Sequence, residues 1–162
     1  MRSDIHYRRI AAEALEHASI AEPPVPLDDL AADVGIPVRL VQLPDFFSGA
    51  LIAEDGMPVA LINGVLDEDV RRRTLAHLLA HALIVLANPE DSYPRNNVRE
   101  HRGADVAASE LLLPERLVRE QSRKWFNDHR YLARLFGVAE SEMVQRMREL
   151  GIIKARGLHW DY

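Results

Sequence analysis

The stretch RRRTLAHLLAHALIVLA, residues 71–87, decides how this chain is read. No Gly or Pro interrupts it, and its apolar residues run nearly continuously after Thr74, which reads as one long helix with a buried face. Asp67 stands where an N-cap belongs, and Glu68 and Asp69 suit the positive end of the helix dipole. Such a helix carries His77 and His81 four residues apart. Positions i and i+4 share a face, with Cβ atoms about 5–6 Å apart, so two imidazoles placed this way can converge on one cation. The residue directly after His77 is Leu78, an apolar side chain beside two metal-type ligands.

A metal held here must use His, Asp or Glu, because the 162 residues contain no cysteine. Disulfides, thiolate zinc sites and cysteine nucleophiles are excluded with it, and a cytoplasmic setting is the expectation. The opening MRSDIHYRRIAAEALEHA lacks the apolar block of a signal peptide. The longest apolar run, ALIVLA at 82–87, is far too short to span a bilayer, so no membrane association is expected. A hydrophobic share of 48% and a charged share of 28% fit a globular domain. The net charge of -5 leaves no nucleic-acid footprint over the chain as a whole.

Two imidazoles do not complete a zinc site; a catalytic one commonly takes three protein ligands. The next helix, expected at about 98–112, offers Glu100, His101 and Asp105. Its apolar face is Ala104, Ala108, Leu111 and Leu112. At about 100° per residue, His101 falls within about 20° of the centre of that face, Asp105 about 60° away and Glu100 about 80° away on the other side. His101 is therefore the third ligand that geometry selects, Glu100 the runner-up, and Glu110 points to the far side. The plainer alternative is a pair of core histidines bonded to backbone carbonyls, since seven histidines make one such spacing unremarkable by chance.

Elsewhere, residues 4–21 read as a helix with Ile5, Ile10, Ala14, Leu15 and Ala18 inward, stopped by the prolines of EPPVP. LDDLAADVG is a short helix closed by Gly35. IPVRLVQL alternates, and GALIA and PVALI flank EDGM, whose Asp55-Gly56 pair signals a hairpin. A small antiparallel sheet of about three strands is expected. The main helices should pack through Leu75, Leu79, Ala82, Leu83, Leu86, Val98, Leu111 and Leu112. NPEDSYPRNN is a loop, residues 115–124 a short helix, and DHRYLARLFGVAESEMVQRMRELGII a helix-turn-helix-like pair.

Taken in order, four segments resemble the ImmA/IrrE-type metallopeptidases: SGALIAEDGMPVALIN (48–63), RRRTLAHLLAHAL (71–83), HRGADVAASELLLP (101–114) and LARLFGVAESEMVQRMRELGII (132–153). The resemblance implies an α+β fold with a zincin-like helical core, a small antiparallel three-stranded sheet and a C-terminal helical pair. It implies a metallopeptidase-type domain at 1–125 and a helical extension packed on it at 126–162. Zinc is the implied cofactor, with the family's two motif histidines falling on His77 and His81 and its third ligand, a Glu, on His101. The general-base Glu of the H-E-x-x-H motif falls on Leu78, and an aromatic of the second helix on Ala107. His replaces Glu without losing a ligand. Leu cannot take or return a proton, and loss of a general base typically costs about 10² to 10⁴ in rate.

These features predict a degenerate regulatory member that binds a protein partner, such as a helix-turn-helix repressor or an antitoxin-like protein of a phage, mobile-element or stress circuit, without cutting it. The rival is an active zinc hydrolase in which the metal alone activates water. A third reading is DNA binding through residues 132–153. The face of its second helix, expected to expose Glu140, Glu142, Gln145, Arg146, Arg148 and Glu149, carries acids that oppose phosphate contacts, so a structural hairpin is preferred.

Overall fold

The computed structural model describes residues 3–88 and 98–154, with side chains from residue 101 onward in the second stretch. Described elements run α1 (Asp4–His17), α2 (Leu27–Asp33), β1 (Val38–Val41), β2 (Gly49–Glu54), β3 (Met57–Asn63), α3 (Glu68–Ala87), α4 (Val98–Leu112), α5 (Glu115–Lys124), α6 (His129–Phe136) and α7 (Glu140–Glu149). The class is α+β. No described helix is long and apolar enough to cross a membrane.

The described residues form two compact units: residues 3–20 with 26–88 and 98–111, and residues 21–25 with 112–154. In the first, the Asp55-Gly56 turn has both φ angles positive, 51° and 80°. That is the primed turn whose twist matches a hairpin, and it pairs β2 with β3 antiparallel. The sheet order is β1-β3-β2. Here the structure departs from the expected all-antiparallel sheet: β1 runs parallel to β3, Val38 opposite Ala60 and Val41 opposite Asn63. The chain leaves β1 at the C-terminal end of β3, crosses that end through residues 42–48 and enters β2 on the other side.

Asn63 holds the crossing. It is fully buried, its Nδ2 donates to the carbonyls of Phe47 (2.9 Å) and Leu43 (3.2 Å), and its Oδ1 accepts from the Val65 N–H at 3.4 Å. Its backbone N–H donates to Ser48 at 2.8 Å, and the Gly64 N–H donates to Val41 at 2.9 Å. One buried amide thereby satisfies backbone groups that the crossing would otherwise leave without partners.

Helix α3 contacts β2, β3, α1 and α2. Leu75, Ala76, Leu79, Ala80, Ala82, Leu83 and Ile84 are buried along it, on more than one stripe, as expected for a central helix. Leu86, expected inside, is 38% exposed. Val98 falls outside the described side chains. On α1 the inward stripe is Tyr7, Ala11, Ala14 and Leu15, while Ile5 is 65% exposed; the ring of Tyr7 takes the inward position. A Cβ at Gly103 of α4 would stand 2.5 Å from that ring, so only glycine admits this approach.

The second unit is helical. Asp128 caps α6 by accepting from the Tyr131 N–H at 3.1 Å. Gly137 ends α6 in the left-handed region, with φ 69°. Phe136 and Leu132 of α6 and Met143 and Met147 of α7 are fully buried.

Candidate metal centre

The site sits midway along α3, where the 3.6-residue repeat turns His77 and His81 to the same side. Their Nε2 atoms face each other at 3.1 Å. Two nitrogens on one tetrahedral zinc, bonded at about 2.0–2.1 Å, stand about 3.3 Å apart, so this pair is already close to ligating geometry. His101 of α4 brings its ring against both: 5.1 Å between centroids to His81, and stacked at 6.3 Å on His77. One ligand nitrogen from each of the three lies within 4.8 Å of the others. The donor set is three imidazoles, which suits zinc and other borderline transition metals.

The helical-wheel choice of His101 over its neighbours thus coincides with where the three rings meet. Glu100, the runner-up, lies outside the described side chains. Asp105, one turn beyond His101, does something that angular position alone did not indicate. Its Oδ1 lies 3.3 Å from Nδ1 of His77. A carboxylate on that edge of the ring, opposite Nε2, stands where second-sphere groups orient a metal-binding imidazole. The available signal was the i, i+4 spacing of His101 and Asp105 on one helix face.

His81 is half-buried. Burial, reinforced by His77 and His101 alongside, pushes its pKa down to about 4. At neutral pH it is therefore uncharged, the state a metal ligand requires.

Leu78 occupies the position after His77. It is 7% exposed, and a Cβ placed on Gly49 would lie 3.2 Å from its Cδ1 and 3.0 Å from Cγ2 of Thr74. The start of β2 therefore rests directly on this turn of α3, which glycine alone allows, since the same Cβ would stand 2.5 Å from the Leu61 carbonyl. Leu78 also lines a cleft of about 410 Å³, together with His77, Ser48, Gly49, Val70, Arg73 and Thr74. Among the described residues, no carboxylate lines this cleft. Glu110, expected on the far side of α4, is buried (6% exposed) and does not line the cleft. Arg146, expected on the outer face of α7, is 2% exposed, and its Nε donates to the Leu113 carbonyl at 3.0 Å. That long side chain folds inward because it satisfies a carbonyl at the end of α4.

No curated protein matches the sequence closely enough to count as a relative. Among solved structures, a Mycobacterium tuberculosis transcriptional regulator superposes with a TM-score of 0.65 at 22% identity, over 88% of this chain. That identity speaks for a shared fold. The chain spans 46% of the regulator's length. A family model, Peptidase_M78, described as the IrrE N-terminal-like domain, matches residues 31–148. The match takes in the sheet and both histidine-bearing helices and runs almost to the end of α7, so this chain belongs to the IrrE N-terminal-like domain family.

Proposed function

We propose that this protein is a regulatory member of its family that keeps the metal centre and recognises a protein partner without efficiently hydrolysing it. The partner in view is a helix-turn-helix repressor or an antitoxin-like protein, met in the cytoplasm. The observation that carries this reading is Leu78. It fills the wall of the cleft beside His77, where the family's proton-transferring carboxylate belongs, and packs against Gly49 instead.

His77, His81 and His101 would hold the metal, with Asp105 orienting His77. A zinc ion bound there supplies Lewis acidity toward an oxygen donor in its open position. The chain's own groups then fall short of peptidase chemistry. Proton transfer to a leaving amine needs a group with a tunable pKa within hydrogen-bond reach, and among the described residues the side chains lining this cleft offer Ser48, Thr74, Arg73 and His77 itself. The solved regulator supports a regulatory reading by its description alone.

The test pairs metal content with partner fate. Metal analysis of the purified protein should find about one zinc per chain, lost in His101→Ala. Incubation with the repressor encoded nearest its own gene should give a complex in which both chains stay intact. Repressor fragments that vanish in His77→Ala would overturn the proposal in favour of an active zinc hydrolase working without a carboxylate base.

A further inference from the structure

Three consecutive arginines open α3, and they part company. Arg73 lines the histidine cleft. Arg71 and Arg72 line a second, separate cleft of about 430 Å³, within the range that small-molecule sites occupy. Their guanidinium groups are the unusual feature. Nε of Arg71 and both Nε and Nη2 of Arg72 are buried with no hydrogen-bond partner. Buried donors in folded proteins are nearly always satisfied, and a group left over commonly awaits an ion, a water or a ligand.

The rest of the cleft narrows the ligand class. Leu27, Val38, Ile62 and Leu75 give it an apolar wall, continued by Leu40, which is 62% exposed on the outer strand. Asp28 and Glu68 also line it. They are close enough to favour the charged form of Arg72, against the stronger opposing effect of its burial. A simple anion would meet the guanidinium donors but also those two carboxylates. A purely apolar guest would leave the donors unsatisfied. A molecule bearing both charges and a hydrocarbon group meets all three surfaces.

We propose that this cleft binds a zwitterionic amino-carboxylate with an apolar side chain, its carboxylate on Arg71 and Arg72, its ammonium toward Asp28 and Glu68, and its hydrocarbon on the leucine and valine wall. Arginine suits the carboxylate end because its planar fork pairs two oxygens at once. The site does not depend on the metal centre, and its failure would leave the reading of that centre untouched.

The experiment is calorimetric titration of the whole chain with L-leucine, 4-methylpentanoate, 3-methylbutylamine and inorganic phosphate. L-Leucine should bind saturably in the millimolar range or tighter, and the two singly charged analogues about tenfold or more weakly by comparison. Arg72→Gln should abolish binding. Asp28→Asn, at an exposed position that leaves folding intact, should weaken L-leucine about tenfold while leaving 4-methylpentanoate unchanged or tighter. No saturable binding of L-leucine, equal binding by folded Arg72→Gln, or phosphate binding more tightly than L-leucine would each overturn the proposal.

Discussion

At the scale of single residues, the chemistry turns on Leu78 and Asp105. Leu78→Glu returns a carboxylate to the cleft wall next to His77. It should leave metal content unchanged and introduce a chelator-sensitive peptidase activity absent from the parent. Since Leu78 is nearly enclosed against Gly49, the substitution should also lower stability, by about 1–3 kcal/mol in urea unfolding. A metal-loaded Leu78→Glu protein with no activity would mean that the cleft is unfit for substrate for some reason beyond the missing base. Asp105→Ala tests the support behind His77. Metal affinity, measured by competition with a chromophoric chelator, should fall about 10- to 100-fold, less than on loss of His77 itself. Unchanged affinity would mean that the 3.3 Å approach is incidental. The His77–His81 pair was legible in the sequence because helical spacing is local, and the same periodicity put His101 on the inward face of its own helix. The Asp105–His77 contact was not, because it depends on how two helices are juxtaposed, and the wheel ranks residues of one helix only.

At the scale of elements, helix existence was readable nearly throughout, and the caps explain why. Gly35 with φ 77°, Gly137 with φ 69° and the Asp128 cap are local signals that act through a few neighbouring residues. Strand direction was not readable. Alternation along Val38–Val41 marks a strand but carries no information on which neighbour it pairs with or in which sense. The two-residue turn commits β2 and β3 to each other, and the remaining edge of β3 is filled by a strand arriving from the same end of the sheet. Asn63 makes that arrangement affordable, because its amide replaces the hydrogen bonds a tighter connection would have formed internally. Asn63→Ala should cost about 2–3 kcal/mol, since it leaves the carbonyls of Leu43 and Phe47 without their donor. Urea denaturation with unchanged slope would measure it. A cost under about 0.5 kcal/mol would show that water replaces the amide without penalty.

At the scale of the whole molecule, the question is what the helical pair α6–α7 is for. A recognition helix needs basic groups presented outward, because phosphate contacts supply most of the affinity. Here the pattern runs the other way. Arg146 is drawn inside to the Leu113 carbonyl, and Arg119 donates to the Leu150 carbonyl at 3.1 Å while pairing with Glu115. Arg146, a cation of the expected recognition face, and Arg119 of α5 are thus engaged with backbone carbonyls. The residues left exposed on α7 are Glu140, Ser141, Gln145 and Glu149, on a chain whose net charge is -5. A phosphate backbone would meet more repulsion than attraction on this face. The chain alone should therefore give no retarded band with duplex DNA even at about 50 mM salt, where nonspecific electrostatic binding is strongest. A band whose affinity falls steeply between about 50 and 200 mM salt would instead count released counterions. It would require basic contacts outside α7, and mapping them would begin with the exposed Arg123 and Lys124 of α5 and Arg134 of α6.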